Sequence, residues 1–267
     1  MVEALTVVEA IIVLAVVGVL SYRFKLLTIS GIISSFIVGL LVIVFGGWKW
    51  FAVVLVFFIL TMFFTKFKHG YKSEKAAPTN SGIRSWRNVF GNGGVAALFA
   101  MAEGATSFDA FLAGFVGAMG TATADTLATE VGLLYPRNPR LITNLKRSVN
   151  PGTSGAISPL GEVAMIFGAF AIGLTTWVLR LSNWSLMKIM LVVVTSSIIG
   201  STVDSLLGAT IQATYECSGC GKAVEGKVHC GKPARYVKGV RAIDNSAVNF
   251  IGTLIGAITA MLFTLFL

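Results

Sequence analysis

The composition of this 267-residue chain excludes an ordinary soluble globular protein. Apolar residues make up 55% of the sequence and charged residues 12%, about half the charged share of a typical soluble domain. The same composition excludes a disordered or fibrous chain. The formal net charge of +9 does not indicate nucleic-acid binding, because the basic residues lie in a few short segments between apolar runs. That distribution is typical of an integral membrane protein, and we expect no nucleic-acid partner.

Apolar runs of about 20 residues predict membrane-spanning helices. The predicted fold class is an all-α polytopic membrane protein with about eight transmembrane or partly broken helices joined by short loops. The predicted segments are 4–22, 27–46, 49–66, 88–102, 108–125, 157–180, 187–211 and 245–267. The fourth opens with Asn88-Val-Phe-Gly-Asn-Gly-Gly94, which favours a short or broken helix. We expect a single transmembrane domain, 1–267, with residues 212–243 as a cytoplasmic loop insert.

The basic residues are distributed unevenly between the two sides of the predicted membrane domain. Lys66 and four loops lie on one side, namely 23–26, 67–87, 126–156 and 212–244. These contain all of the 21 Lys and Arg except Lys49, Arg180 and Lys188. Loops rich in Lys and Arg face the cytoplasm. The sequence therefore predicts a multi-pass protein of the cell membrane. Its long loops would be cytoplasmic, and both termini would lie outside, as would Glu3 near the N-terminus.

Four acidic residues lie in or at the ends of the apolar segments: Asp125, Glu162, Asp204 and Asp244. Charges at membrane depth are costly and usually functional. All four lie towards the predicted cytoplasmic ends of their segments, with Asp204 about two turns from one, so we expect them to converge on one layer. Carboxylates flanked by hydroxyl groups there predict a magnesium site. The alternative is that they are interfacial residues in contact with lipid head groups.

Two loops place cations beside Gly, Asn and small hydroxyl residues, just before an apolar segment. The loop 82–94 contributes Arg84, Asn88, Asn92 and Gly93, and the loop 144–158 contributes Lys146, Arg147, Gly152, Thr153, Ser154 and Ser158. Backbone amides at helix N-termini and Arg side chains bind phosphate groups. Asp244, Asn245 and Asn249 share one face of the last predicted helix. The alternative for both loops is that the cations serve only as membrane-interface anchors.

The insert contains all three cysteines of the chain. Cys217-Ser-Gly-Cys220 is a Cys-x2-Cys turn, and His229 and Cys230 follow after a short spacer. Three thiolates and one imidazole can form a closed structural zinc site. The sequence therefore predicts a zinc knuckle, with the adjacency of His229 and Cys230 as its geometric difficulty. Reduced free thiols in a hairpin are the alternative.

Five motifs, taken in their order along the chain, resemble the DUF92 family of membrane proteins, which includes transmembrane protein 19 and plant phytyl-phosphate kinases. They are Gly-x-Arg-x3-Asn-Val-x-Gly-Asn-Gly-Gly (82–94), Ala-Asp-Thr-Leu-Ala-Thr-Glu-Val-Gly (124–132), Pro-Gly-Thr-x-Gly-Ala-Ile-Ser (151–158), Gly-Ser-x2-Asp-Ser-Leu-Leu-Gly-Ala (200–209) and Asp-Asn-x3-Asn (244–249). The resemblance runs over nearly the whole chain. It implies a polytopic enzyme that phosphorylates a prenyl monophosphate to the diphosphate, with CTP as the donor.

The residues and the resemblance together predict a membrane kinase that acts on a polyprenyl or phytyl monophosphate. Catalysis and magnesium binding are assigned to Asp125, Asp204 and Asp244, with Glu162 as a further magnesium ligand. The phosphate-binding loops and the pair Asn245 and Asn249 would hold the nucleoside triphosphate or the acceptor phosphate. Two alternatives remain open, namely a lipid or ion transporter and another lipid-phosphate nucleotidyltransferase. Membrane lipid is an expected partner. The oligomeric state stays open, and a homo-oligomer is one option.

Overall fold

The computed structural model describes residues 4–76 and 82–266. Glu3, residues 77–81 of the predicted loop 67–87, and Leu267 at the end of the last predicted segment lie outside the described residues. The helices are α1 (Ala4–Arg23), α2 (Ile29–Gly46), α3 (Trp48–Lys66), α4 (His69–Lys75), α5 (Trp86–Thr106), α6 (Asp109–Gly132), α7 (Pro159–Val178), α8 (Leu186–Thr210) and α9 (Asn245–Phe266).

The predicted class, a helical membrane protein, is confirmed. Apart from the short α4, the helices of the described chain have 18 to 25 residues, which is long enough to cross a bilayer. Six of them, α1 to α3 and α7 to α9, are also apolar enough to do so by length and composition. The less apolar α6 packs against α3, α5, α7, α8 and α9. Because α6 is surrounded by protein, its Gly, Ala and Thr residues face other helices instead of lipid.

Helix α5 is continuous where the sequence predicted a weak or broken helix. The Asn88 side chain accepts a hydrogen bond from the Ser85 amide at 3.0 Å, and the Asn92 side chain donates to the Asn88 carbonyl at 2.9 Å. Gly91 faces α9 so closely that a Cβ atom there would lie 2.8 Å from the Ser246 carbonyl oxygen. These polar and small residues therefore cap the helix and allow close packing without interrupting it.

The backbones of α6, α8 and α9 approach one another at small residues. A Cβ atom on Gly200 of α8 would lie 2.6 Å from the Thr121 side chain of α6 and 2.8 Å from the Gly252 carbonyl oxygen of α9. A Cβ atom on Gly252 would in turn lie 3.1 Å from the Asp204 side chain. Small residues at such crossings allow close van der Waals packing inside a membrane. This packing sets the spacing of the helices that carry Asp125 and Asp204.

Two small antiparallel sheets cover one end of the helix bundle, an addition to the predicted all-α architecture. The first has the order β2-β1-β3 and the second the order β5-β4-β7-β6. Their strands are β1 (Arg140–Leu141), β2 (Asn144–Ser148), β3 (Ala156–Ile157), β4 (Thr214–Cys217), β5 (Ala223–Val224), β6 (Val228–His229) and β7 (Lys232–Lys238). The strands pair backbone groups of the long loops that would otherwise need solvent or side-chain partners.

The long basic loops meet at this same end. The Lys66 ammonium group donates to the Lys25 carbonyl at 3.1 Å, Lys75 to Tyr135 at 2.8 Å, and Lys222 to Glu74 at 3.4 Å. These bonds join the loop after α1, the α3–α5 segment, the α6–α7 loop and the second sheet. The short connections α2–α3, α5–α6 and α7–α8 lie at the other end because the long helices alternate in direction.

A substitution that separates the packed backbones should destabilise the bundle. We expect Gly200→Ala to lower the unfolding free energy by about 1 to 3 kcal/mol, as overpacking of a tight core does. Gly94→Ala is the matched control, because its Cβ atom would meet neighbours only at 3.7 Å or beyond. Thermal denaturation in detergent measures the difference. Equal melting temperatures for the two variants would contradict the close-packing account.

Cysteine labelling tests which side of the membrane carries the basic loops. An impermeant maleimide should label Asn183→Cys, in the α7–α8 connection, in intact cells. It should label Arg147→Cys, on the exposed strand β2, only after permeabilisation. The positive-inside rule predicts this result. A mobility-shift gel measures the label added to each variant above the labelling of the three native cysteines in the wild type. Labelling of Arg147→Cys in intact cells would reverse the predicted orientation.

Candidate functional site

A polar cavity of about 580 Å³ lies between the sheet-covered ends of α5 to α9 and the loops around them. Most of the residues predicted to bind phosphate or magnesium line it. They are Arg84, Asn88, Asn92, Asp125, Gly152, Thr153, Ser154, Ser158, Glu162, Asp204, Asn245 and Asn249. Segments far apart in the sequence therefore converge on one space.

The two carboxylates deepest in the helical segments face this cavity from neighbouring helices. Asp125 lies within α6, which continues to Gly132, two turns beyond the predicted end of the segment. Its Oδ1 atom accepts a hydrogen bond from the Ser201 hydroxyl of α8 at 3.2 Å. Asp204 lies three residues after Ser201, so the two side chains are neighbours on the same surface of α8. The pair Asp125 and Asp204 thus belongs to one polar layer across α6 and α8.

Asn249 extends this layer to α9 and α5. In the amide orientation that satisfies both of its polar atoms, its nitrogen donates to Asp204 Oδ2 at 3.2 Å and to the Asn245 carbonyl at 2.9 Å. Its oxygen then accepts from the Asn92 side chain at 3.2 Å. Asn249 is nearly fully buried, so these bonds compensate its desolvation. The Asn side chains therefore orient Asp204 towards the cavity.

The donor set of the cavity suits magnesium. Magnesium binds one or two protein carboxylates and completes its shell with water and substrate phosphates, and Asp125 and Asp204 supply such a pair. Within the described residues, the carboxylates do not form a group of three with oxygen atoms all within 4.8 Å of one another. A magnesium ion here would therefore take the rest of its ligands from water and substrate.

Arg84 is the predicted cation that reaches the cavity. Its backbone pairs with the loop after α1, since the Arg84 amide donates to the Leu26 carbonyl and its carbonyl accepts from the Thr28 amide, both at 3.0 Å. Burial lowers the pKa of the Arg84 guanidinium, and the negative charges of Glu130 and Asp125 oppose that shift. The side chain remains protonated at neutral pH, as arginine does in proteins, and can bind an anion.

An ion pair between Lys72 and Glu130, which the sequence did not predict, lies beside Arg84. Lys72 is 4% exposed, and its ammonium group also donates to the Phe64 carbonyl at 2.6 Å and the Thr65 carbonyl at 3.0 Å. The Thr65 hydroxyl donates to Glu130 Oε1 at 3.0 Å. Glu130 lies five residues after Asp125 in the quoted motif, but no local pattern indicated that Lys72 would reach it.

A further carboxylate, Glu225, also lines the cavity and was not predicted. It lies between β5 and β6 in the second sheet, and it accepts a hydrogen bond from Gln212 Nε2 at 3.0 Å. Burial raises the pKa of the Glu225 carboxyl, and the hydrogen bond from Gln212 opposes this shift. The flanking Val224 and Gly226 gave no sign that this glutamate would face a cavity.

Asp244 does not join Asp125 and Asp204 in the cavity wall. It lies immediately before α9, where its Oδ1 atom accepts from the Ala247 amide at 3.0 Å and its Oδ2 atom accepts from Arg87 at 2.8 Å. Both carboxylate oxygens are therefore used to cap the helix and to pair with a cation. The structure thus places Asp244 in a different role from the magnesium ligand that was predicted.

Three predicted phosphate-binding residues also lie elsewhere. Lys146 and Arg147 are exposed on the five-residue strand β2, and do not line the polar cavity. Strand pairing with β1 directs this part of the loop away from the helix ends. Gly93 lines a neighbouring apolar groove instead.

This apolar groove lies among α1, α2, α3 and α5 and encloses about 90 Å³. Its walls are mainly aliphatic and aromatic, and they include Leu14, Phe36, Gly39, Phe51, Val54, Phe58 and Met62. Arg84, Asn88 and Asn92 line both the groove and the polar cavity. An apolar space between helices is therefore joined to a polar space at a cation and two amides.

The sequence model of the family described as "Integral membrane protein DUF92" matches residues 12–257. The chain belongs to the DUF92 family. This confirms the resemblance seen in the five ordered motifs. The chain is 31% identical to an uncharacterised membrane protein of Methanocaldococcus jannaschii, over 95% of this chain and 92% of that one. No solved structure matches it.

Two plant proteins are also similar to this DUF92 member. Identity to "Protein PGR" of Arabidopsis thaliana is 30%, over 92% of each chain. Identity to "Protein VTE6, chloroplastic" of the same plant is 32%, over 54% of this chain and 45% of that protein.

The buried ion pair beside Arg84 should be strongly coupled. Glu130→Gln should cost about 3 to 5 kcal/mol, because it leaves the buried ammonium group of Lys72 without its counter-ion, and Lys72→Met should cost less, because Glu130 is only partly buried. The double variant should recover much of that loss. The exposed pair Arg87 and Asp244 is the matched control, since Arg87→Met and Asp244→Asn should be coupled by about 1 kcal/mol or less. Thermal denaturation of both cycles measures the coupling, and additive effects at Lys72 and Glu130 would contradict it.

Proposed function

We propose that the protein is a membrane prenyl-phosphate kinase. It would transfer the terminal phosphate of CTP to a polyprenyl or phytyl monophosphate and release the diphosphate lipid and CDP. The observation that carries this proposal is the junction of the apolar groove with the polar cavity at Arg84, Asn88 and Asn92. A prenyl phosphate has the same two parts, an apolar chain and an anionic head group. The resemblance of the ordered motifs to plant phytyl-phosphate kinases supports the same substrate class and donor.

The position of the groove suits an isoprenoid chain. It runs between α1, α2 and α3, which are among the helices apolar enough to cross a membrane. An acyl or prenyl chain that enters sideways between these helices stays in an apolar environment throughout. The head group at the end of the chain would then reach the side of the cavity lined by Arg84.

The polar cavity offers two sets of groups for phosphate. Arg84 can make two parallel hydrogen bonds to one phosphate group, and the side-chain NH2 of Asn88, whose oxygen caps α5, lies beside it as a further donor. The loop from Gly152 to Ser154 forms another part of the wall, and backbone amides in such Gly-containing turns bind phosphate oxygens. The acceptor phosphate would lie at Arg84, next to the groove, and the donor triphosphate between the loop and the two aspartates.

The chemistry then requires alignment more than acid–base catalysis. An oxygen of the acceptor phosphate attacks the γ-phosphorus of CTP, the bond from that phosphorus to the β–γ bridging oxygen breaks, and CDP leaves with the electron pair. The acceptor oxygen is already anionic, so no strong general base is needed. Asp125 and Asp204 would hold magnesium, with Glu162 on the same wall, and the bound ion would neutralise charge on the donor phosphates.

The basic end of the bundle would face the cytoplasm, and the protein would be a multi-pass protein of the cell membrane. The concentration of Lys and Arg in the loops at that end supports this orientation. The cavity opens among those loops, so a nucleotide dissolved in the cytoplasm would reach it directly, while the lipid would come from the membrane.

Neutral variants of the two cavity aspartates test the proposal. Asp125→Asn and Asp204→Asn should each keep the fold and lower turnover by about a hundredfold or more, because each removes an anionic magnesium ligand. Asp109→Asn is the matched control, since Asp109 lies on α6 at the opposite end from the cavity. Mass analysis of the lipid products formed from CTP, magnesium and geranylgeranyl phosphate gives the rates. Full activity in both cavity variants would refute the assigned site.

The products also separate the alternative functions. A CDP-lipid with released pyrophosphate would indicate a nucleotidyltransferase that uses the same cavity. Absence of any phosphoryl transfer by folded wild-type protein, together with substrate flux in vesicles, would indicate a transporter. Either result would replace the kinase proposal.

A narrower groove should change the preference for chain length. Val54→Trp fills part of the groove, and it should lower kcat/KM for geranylgeranyl phosphate by about tenfold or more, because long chains need the lost space. Isopentenyl phosphate should be affected far less. Ile59→Trp is the matched control, since Ile59 lies on the same helix and is exposed. Equal losses for both substrates in the groove variant would contradict the assignment of the chain to this groove.

A further inference from the structure

The second sheet brings four metal-binding side chains together. The ligand atoms of Cys217, Cys220, His229 and Cys230 lie within 4.8 Å of one another, and the three cysteines are free. The Nδ1 atom of His229 is 3.5 Å from the Cys220 sulfur and 3.1 Å from the Cys230 sulfur. Neighbouring ligand atoms of a tetrahedral zinc site with these ligand types lie about 3.5 to 3.8 Å apart. The cluster therefore needs only small adjustments to bind zinc.

Each half of the cluster contains the same three-residue segment. Cys-Gly-Lys occurs at 220–222 and again at 230–232. Gly221 and Gly231 both have a φ angle of +68°, in the left-handed region, and a Cβ atom on either would meet nothing within 4 Å. Glycine is therefore required by backbone conformation and not by lack of space. The glycine that follows the ligand cysteine is therefore in the left-handed region in both segments.

The adjacency of His229 and Cys230, which was the geometric difficulty of the predicted knuckle, is resolved by the backbone. Cys230 has a φ angle of +53°, a conformation that costs free energy for any residue with a Cβ atom. The chain turns sharply enough there for two consecutive side chains to face one cluster. The Gly219 amide also donates to the Cys217 sulfur at 3.3 Å, as backbone amides support a charged thiolate.

The apolar core of the second sheet is too small to hold the sheet together alone. Its buried residues are Ala213, Tyr215, Cys217 and Val224. Strands of two to seven residues around such a core usually depend on a disulfide or a metal ion. The metal-binding cluster lies at the end of this core, with Cys217 belonging to both.

This sheet is also a wall of the polar cavity. Glu225 lines the cavity from the segment 221–228, which the two ligand-bearing turns enclose. The sheet is attached to the helices by the Gln212–Glu225 hydrogen bond and by Lys238, which donates to the Ala209 carbonyl at 2.8 Å. Whatever orders the segment 221–228 therefore sets the position of Glu225 in the wall.

We propose that Cys217, Cys220, His229 and Cys230 bind one structural zinc ion, which holds the segment 221–228 and its Glu225 in the cavity wall. Thiolate and imidazole ligands select zinc over hard cations such as magnesium. Four protein ligands close the coordination shell, so the ion has a structural role. This inference does not depend on the proposed kinase activity.

Metal analysis tests the first half of the proposal. Purified wild-type protein should contain about one zinc per chain, and Cys220→Ser should reduce this to about a tenth or less, as loss of one ligand opens a structural site. Ser218→Ala is the matched control, because Ser218 lies in the same turn and its hydroxyl donates to the Pro233 carbonyl, at 2.8 Å, instead of facing the cluster as a ligand. It should retain the zinc. Wild-type protein without zinc, or with iron in its place, would overturn the proposal.

Hydrogen exchange tests the second half, without lipid or nucleotide. Removal of zinc by a chelator should speed amide exchange in the segment 214–238 by about tenfold or more, because the metal supplies much of its folding free energy. Exchange in α6 should stay unchanged and serves as the internal control. Restoring zinc should restore protection. Unchanged exchange in 214–238 after complete zinc loss would overturn the role assigned to the ion.

Discussion

The site depends on the close approach of the α6, α8 and α9 backbones. In a membrane, helices are not pressed together by the hydrophobic effect, so packing at small residues and interhelical hydrogen bonds must hold them. Gly200 leaves no room for a side chain between Thr121 and the Gly252 carbonyl. At the next residue of α8, the Ser201 hydroxyl donates a hydrogen bond to Asp125. The contacts that stabilise the bundle therefore also fix Asp125 and Asp204 in the cavity wall.

Charge balance is the second condition that the cavity meets. Lys72 and Glu130 pair with each other, and Arg84 lies in the field of Glu130 and Asp125. A buried charge without such a partner would strongly destabilise the fold. Phosphate groups and a divalent cation would enter a space that already holds both signs of charge, so binding would rearrange existing contacts instead of creating a new buried charge.

The sequence was sufficient to predict the parts of this account that depend on local composition. Hydropathy predicted the long helices, and the cost of charge at membrane depth singled out Asp125 and Asp204. Gly, Asn and hydroxyl residues beside Arg84 and around Thr153 indicated the loops that line the cavity. The order of the motifs was specific enough to identify the family.

The parts that the sequence did not predict depend on contacts between distant segments. Asp244 was grouped with the other acids because it lies at a helix end, but its partner Arg87 is 157 residues away in the sequence. Lys72 and Glu130 are 58 residues apart, and no periodicity connects them. Glu225 comes to the cavity only through the folding of the second sheet.

The central claim is that the cavity transfers the terminal phosphate of CTP to a lipid phosphate held at its junction with the groove. The most direct measurement supplies purified wild-type protein with magnesium, geranylgeranyl phosphate and CTP labelled in its γ-phosphate. The account predicts that the label appears in geranylgeranyl diphosphate, with unlabelled CDP formed in equal amount. Label released as pyrophosphate, or retained in CTP while the lipid phosphate stays unchanged, would contradict it.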